Sequence, residues 1–361
     1  MRPKAPMLVW HTLPSARSTT RRSSHSHLVD SRHTEVSGMR SIPFYPMMVL
    51  LLIGLGGYLG CDPGSLKLPF DTSALTGGDT ITSVSSLPAR DGERLLLGSF
   101  NLERLGPSKL SEPTTMERIA KVIQQFDVIA LQEITSKDQT TLPQLLKWVN
   151  RSGRKYDYVI SERIGRAASG YYEQYAFVFD TERVNGGKEY CYVVQDDLDV
   201  LHREPFVGRF QTKGRYPFGF TLINIHTDPD EIKYELDVLA DVFINVRSFE
   251  HPEDDVILLG DLNAGPGKLQ RLEQIRNFVP LIHAPTNTRG TKTLDNIMID
   301  TQSTVEFTGR SGTINLEEMF RVDLAGAEDI SDHLPVWAEF SFNETPTSVS
   351  AMAGAAGRTR R

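Results

Sequence analysis

From Arg94 to Phe342 the chain runs through many short apolar segments, and several follow one another with no helix between them. This constrains the fold more than any other feature. The segments Arg94–Phe100, Val128–Gln132, Tyr156–Ser161, Gln174–Phe179, Tyr190–Gln195, Phe206–Gln211, Phe218–His226, Val256–Gly260, Thr293–Ile299 and Leu334–Phe342 read as strands. Helical spacing shows in Glu112–Phe126, where Ile119, Val122, Ile123 and Phe126 share a face and Pro113 suits a first turn. Thr141–Asn150 and Pro229–Arg247 are further helices, the latter with Leu236, Leu239, Ala240, Phe243 and Val246 on one side. Adjacent strands without crossover helices exclude a plain βαβ succession. The expected class is α/β: a four-layer α/β sandwich, with two mixed or antiparallel β-sheets packed face to face and helices outside.

The polar residues fall at the ends of these strands. Asn101 ends the first and Glu133 the second. His226 ends Ile-Asn-Ile-His, and Asp261 and Asn263 follow Val-Ile-Leu-Leu-Gly. Asp295 opens Leu-Asp-Asn-Ile, and Asp332 and His333 precede Leu-Pro-Val-Trp. A single Asp or Asn there is ordinarily a turn former. Six such placements, using two of the five histidines beyond residue 60, point instead to a site built on strand ends. Carboxylates and amide oxygens, without thiolates, suit a hard cation such as Mg²⁺ or Mn²⁺. Two histidines add acid–base capacity for water and a leaving oxygen.

Asn101, Gln132-Glu133, His226, Gly260-Asp261-Leu262-Asn263, Asp295 and Ser331-Asp332-His333 occur in an order that resembles the endonuclease/exonuclease/phosphatase superfamily, over about 95–342. Within it the chain is most similar to deoxyribonuclease I. Ser161-Glu162-Arg163-Ile164-Gly165-Arg166, Tyr171-Tyr172-Glu173-Gln174-Tyr175 and Arg203-Glu204-Pro205 carry that likeness. The resemblance implies an endonuclease hydrolysing DNA phosphodiester bonds by a two-histidine mechanism. His226 would be oriented by Glu173 and His333 by Asp295, one activating water and the other protonating the leaving oxygen. Glu133, Asn101 and Asp332 would hold Mg²⁺, with Mn²⁺ or Ca²⁺ as alternatives. Asp261 and Asn263 would position the phosphate, and Arg203 and Tyr171 would contact the substrate.

This chain departs from that pattern at Thr135, two positions after Glu133, where deoxyribonuclease I has a minor-groove arginine. Loss of that cation is expected to weaken the duplex grip or to shift it to another basic residue such as Arg163 or Arg166. Two competing functions stand beside the nuclease. One is a lipid phosphoesterase of the same superfamily, of sphingomyelinase or phosphoinositide phosphatase type, although no long apolar hairpin lies between the strands. The other is an inactive binding module, which would have no reason to keep a complete acid, base and metal set.

The formal net charge is −7, and residues 1–60 carry seven of the 39 basic and two of the 46 acidic residues, leaving −12 beyond them. So acidic a body argues against charge-driven duplex binding of the repressor kind. The two cysteines, Cys61 and Cys191, exclude a disulfide framework. Residues 47–60 are apolar but short of the ~20 needed to span a bilayer, and they fit a signal-peptide core. Met39, before Arg40, is an alternative start to Met1. Tyr58-Leu59-Gly60-Cys61 resembles a bacterial lipoprotein signal with Cys61 as the lipidated residue; plain secretion and an uncleaved anchor are the other readings. The expected organisation is 1–60 extension and signal peptide, 61–92 flexible tether, 93–342 catalytic domain and 343–361 disordered tail. The expected location is extracytoplasmic, secreted or membrane-tethered. The expected partners are DNA as substrate and a membrane through the lipidated N-terminus, with the enzyme acting as a monomer.

Overall fold

In chain order the strands are β1 (Arg94–Leu105), β2 (Val128–Ile134), β3 (Tyr156–Ile160), β4 (Gln174–Asp180), β5 (Val184–Asn185), β6 (Cys191–Val193), β7 (Phe206–Thr212), β8 (Gly219–His226), β9 (Val256–Asp261), β10 (Phe278–Pro280), β11 (Asp295–Asp300), β12 (Phe307–Thr313) and β13 (Val336–Ser341). The helices are α1 (Pro107–Leu110), α2 (Pro113–Ile123), α3 (Thr141–Val149), α4 (Ile232–Asn245), α5 (Leu316–Phe320) and α6 (Leu324–Glu328). They come from a computed structural model that describes residues 87–344, apart from 89, 167–168, 251–254 and the side chains of 249 and 250. The expected signal peptide, Cys61, most of the tether and most of the tail lie outside the described residues.

The strands form a six-stranded sheet, β12-β13-β1-β2-β4-β3, and a seven-stranded sheet, β10-β11-β9-β8-β7-β5, with β6 also on β7. Each sheet is mixed. β1 and β2 are parallel in the first, β8 and β9 in the second, and the remaining pairs are antiparallel. A parallel pair requires a crossover. α2 supplies it for β1–β2 and α4 for β8–β9.

Both faces of each sheet are covered, which makes the four-layer sandwich expected from the sequence. Leu95, Leu97, Val128, Ala130, Phe177, Phe210, Phe220, Leu222, Leu259 and Ile297 meet between the sheets. Their neighbours one residue along point outward. Leu96, Ile129 and Val178 pack beneath α2 and α3, while Ile223, Leu258 and Met298 pack beneath α4. This is the two-residue period of a strand buried on both faces. Each of the fully buried rings Phe177, Phe210, Phe218 and Phe220 contributes roughly 2–3 kcal/mol by leaving water. At one end of the sandwich Asp127 is buried and held by Arg90, by Arg183 Nε at 2.6 Å and by the Leu96 N–H at 2.8 Å.

The longer elements follow the sequence pattern, while β5, β10, α1, α5 and α6 have no counterpart in it, and three further differences have clear local causes. α4 begins at Ile232 rather than Pro229, because 228–231 form a turn closed by the Glu231 N–H on the Asp228 carbonyl. The expected strand at Tyr190–Gln195 shrinks to β6, preceded by a single 3-10 turn. β12 has no counterpart in the pattern, since Phe-Thr-Gly-Arg-Ser-Gly-Thr offers little apolar periodicity and takes its register from β13.

Gly260 ends the apolar part of β9 with φ at +143°, and a Cβ there would lie 1.9 Å from the Ile225 carbonyl oxygen of β8. Only glycine lets the two parallel strands close at this point. Gly260→Ala is expected to cost at least ~2 kcal/mol, measured by urea unfolding, from backbone strain and overpacking. Wild-type stability in that variant would refute the close-approach account.

Candidate active site

On the inner faces the alternation that builds the core turns polar at one end. Leu97 gives way to Ser99 and Asn101 on β1, Ala130 to Gln132 on β2, Leu222 to Asn224 and His226 on β8, and Leu259 to Asp261 on β9. These ends belong to the parallel pairs. Strands β4, β7, β11 and β13 run the other way, so their beginnings reach the same end: Glu173 precedes β4, Arg203 precedes β7, Asp295 opens β11 and His333 precedes β13. The first sheet thus presents His333, Asn101, Glu133 and Glu173 in strand order. The second presents Asp295, Asp261, His226 and Arg203. Across the sheet, Asp261 is registered with both His226 and Asp295.

The two rows meet through charged and polar contacts. His333 Nδ1 lies 2.8 Å from Asp295 Oδ2, and His226 Nδ1 lies 3.1 and 3.2 Å from the two oxygens of Glu173. Between them Asn101 Nδ2 donates to Asp261 Oδ2 at 3.0 Å and to Glu133 Oε1 at 3.1 Å. The Nε2 atoms of both histidines stand 3.5 Å from that same Asp261 oxygen. Its other oxygen accepts the Asn263 N–H at 2.9 Å, with Asn263 in the left-handed region at φ 49°. Ser331 Oγ donates to the Asn101 carbonyl at 2.7 Å and ties the Ser-Asp-His segment to β1.

Electrostatics follow from this packing. Burial lowers the pKa of both imidazoles, but facing carboxylates outweigh it: Glu173 and Asp261 for His226, Asp295 and Asp261 for His333. Both histidines therefore hold their proton above the ordinary range. Burial raises Asp261, yet the two histidines pull it below its usual value. Burial, with Glu173 and Glu133 nearby, raises the Tyr171 phenol.

The remaining sequence-named residues sit at the rim. Glu133 is half-buried at φ 59°, accepting the Arg104 N–H at 2.9 Å and the Tyr171 hydroxyl at 3.2 Å. Asp332 is exposed, 3.8 Å from His333 Nε2. Arg203 is buried, donates Nε to the His226 carbonyl at 2.8 Å and keeps Nη2 without a hydrogen-bond partner. All eleven named residues thus gather at one end of the sandwich. Asp261, Asp295 and His333 also bring donor atoms within 4.8 Å of one another, a grouping outside the expected Glu133, Asn101 and Asp332 set.

Arg163 and Arg166 are both committed to contacts within the protein. Arg163 donates to the carbonyls of Thr135, Ser136 and Tyr172 and so ties two loops together. Arg166 is paired with Glu231 at 3.1 Å and with Asp199. The exposed cation beside Tyr171 is Arg104, its guanidinium 5.9 Å from the ring centre and without an ion-pair partner among the described residues.

Several further residues support the site with no role of their own readable from sequence. The Tyr175 hydroxyl donates to the His226 carbonyl and accepts the His226 N–H, at 3.2 and 2.8 Å. Gln132 Nε2 bridges the sheets to Asn224 Oδ1 at 2.7 Å. Strand alternation carried that signal: Tyr175 is two residues from Glu173 and Asn224 two from His226. Thr286, which donates to Asp295 Oδ2 at 2.7 Å, comes from an irregular loop without such a signal.

The site thus holds two buried imidazoles, each backed by its own carboxylate and both facing a shared one. Residues 98–333 match the Endonuclease/Exonuclease/phosphatase family, and the chain belongs to that family. It is a hydrolase acting on phosphodiester bonds. Deoxyribonuclease gamma of Rattus norvegicus is 35% identical over 67% of this chain and 83% of its own length. Deoxyribonuclease-1-like 1 of Cricetulus griseus is 30% identical over 73% of this chain and 90% of its own. Humanised TDP2 of D. rerio has a TM-score of 0.48 at 16% identity, over 68% of this chain and 98% of that one.

Glu173 raises the His226 pKa, so Glu173→Gln should reduce kcat and move one limb of the kcat/KM–pH profile to lower pH, the ascending limb if His226 is the base and the descending limb if it is the acid. A profile with neither limb moved would remove Glu173 as the partner that sets His226.

Proposed function

We infer that this chain is a metal-dependent endodeoxyribonuclease of the deoxyribonuclease I type. The observation that carries the reading is the pair His226–Glu173 and His333–Asp295 arranged about Asp261. One imidazole takes a proton from water as its oxygen bonds to phosphorus. The other donates a proton as the bond to the leaving 3′-oxygen breaks. Each Nδ1 is occupied by a carboxylate, so each Nε2 is the atom that exchanges protons. Asn263 and Arg203 supply donors for the phosphate. The oxygen donors of Glu133, Asn101 and Asp332, free of thiolates, fit Mg²⁺, Mn²⁺ or Ca²⁺. A divalent cation held there supplies positive charge to the phosphoryl oxygens.

DNA as substrate is supported by the relatives named deoxyribonuclease gamma and by the exposed Arg104 at the rim. Arg104 lies in a bulge of β1, between Asn101 and Leu105, where Glu103 and Arg104 both adopt positive φ. Glu103 turns to Lys109 at 3.3 Å, which leaves Arg104 un-neutralised. Bulges beside active sites re-aim side chains, and this one points to Arg104 as the cation that grips the duplex in place of one at position 135.

The decisive assay is nicking of supercoiled plasmid by residues 64–361, with Mg²⁺ and with chelator, beside His226→Ala. Nicking that is lost in chelator and reduced at least ~10³-fold in H226A is expected. Metal-independent or absent nicking would sink the reading, and release of phosphocholine or inorganic phosphate from lipids would favour a lipid phosphoesterase. Arg104→Ala should raise KM for duplex DNA several-fold with kcat retained, and lower the slope of log KM against log salt by about one.

The N-terminal segment is proposed to carry the enzyme out of the cytoplasm and to tether it through Cys61. Among the described residues no helix is long and apolar enough to cross a membrane. Cys61→Ala in the full chain should move it from the membrane to the soluble fraction; continued membrane association would refute tethering by that cysteine.

A further inference from the structure

Behind Arg203 and His226 lies a carboxylate that the chemistry above does not use. Glu235 sits in the first turn of α4 and is only 1% exposed. Its oxygens join two separate loops. Oε1 accepts the backbone N–H of His202 at 2.5 Å, and Oε2 accepts that of Asp228 at 2.6 Å. His202 immediately precedes Arg203, and Asp228 follows His226 by two residues. One side chain on a rigid helix therefore fixes both the segment entering β7 and the segment leaving β8. His202 Nδ1, 3.4 Å from Asp228 Oδ2, closes the ring.

The charges give this clamp a second task. Arg203 is a buried cation, and Glu173 stands 3.9 Å from its Nε. Both Glu173 oxygens already face His226 Nδ1. A buried guanidinium with no other anion nearby would draw Glu173 away from the imidazole. Glu235 and Asp228 add negative charge around Arg203 and leave Glu173 for His226.

We propose that Glu235 is a positioning residue of the active site, holding Arg203 and His226 in fixed register and keeping Glu173 on the His226 ring. This rests on the active-site reading above. It acts through its contacts with the two loops and touches no substrate.

The test is a double-mutant cycle in the plasmid-nicking assay: wild type, Glu235→Gln, His226→Ala and the double variant, each with a thermal melt. Glu235→Gln keeps the volume but loses the charge and turns an amide N–H₂ toward a backbone donor. The variant should be folded at the assay temperature with kcat down ~10–100-fold, while adding less than ~3-fold loss in the His226→Ala background. Wild-type kcat in E235Q, or the same fold loss in both backgrounds, would overturn the proposal, because a merely structural role is additive. Should E235Q not fold, Glu235→Asp, which keeps the charge but is one methylene shorter, enters the same cycle. A wild type that nicks DNA beside an unaffected Glu235 variant removes only the positioning role. A wild type without nicking removes the active-site reading first.

Discussion

The fold is organised around one buried carboxylate. Asp261 is 1% exposed at the end of a central strand, and a lone carboxylate in such a place would be strongly disfavoured. It is tolerated because four neighbours answer it, against the like charge of Asp295 close by. Asn101 donates from the opposite sheet, the Asn263 backbone donates from the following turn, and two histidines bring positive charge within 3.5 Å. Those histidines are themselves buried and would shed their protons were carboxylates not placed around them. Stability of Asp261 and basicity of the imidazoles are thus one electrostatic fact seen from two sides, and neither sheet supplies it alone.

Topology explains how this concentration of charge is reached. In a mixed sheet, the ends of the parallel strands and the beginnings of their antiparallel neighbours fall at the same edge. Both sheets here have a parallel pair at the centre, so each offers four adjacent strand termini there. Packing the sheets face to face sets the two rows against each other. Apolar alternation fills the space between them until the last residues, where the same alternation delivers Asn101, Gln132, His226 and Asp261 to the inner face. The interior begins to turn polar where Gln132 and Asn224 bridge the sheets with a hydrogen bond at 2.7 Å.

That logic also explains what could be read from the sequence. Residues fixed by strand period, such as His226 after Phe-Thr-Leu-Ile-Asn-Ile, announce themselves, and so do the sandwich and its two crossover helices. Elements that depend on partners do not. β12 is ordered by β13, and Thr286 reaches Asp295 from an irregular loop. Arg104 becomes a rim residue only because a bulge rotates it, and a bulge is set by pairing rather than by local preference. Arg163 and Arg166, plausible from position, are bound to carbonyls and to acids for reasons visible only in three dimensions.

The same contrast separates the chemistry from the grip. Catalytic groups must be buried, mutually satisfied and held on strand ends, so few sequences can supply them and their order is diagnostic. Substrate-gripping cations need only be exposed and unpaired, a property of the whole surface. In this acidic domain many arginines are committed elsewhere: Arg90 and Arg183 to Asp127, Arg271 to Asp241, Arg289 to Glu328 and Arg310 to Glu339. Affinity for a polyanion then falls on the few cations left over at the rim. On the proposed reading, a cation at the bulge of Arg104 rather than at position 135 alters the approach to the substrate and leaves the buried histidines and carboxylates where they are.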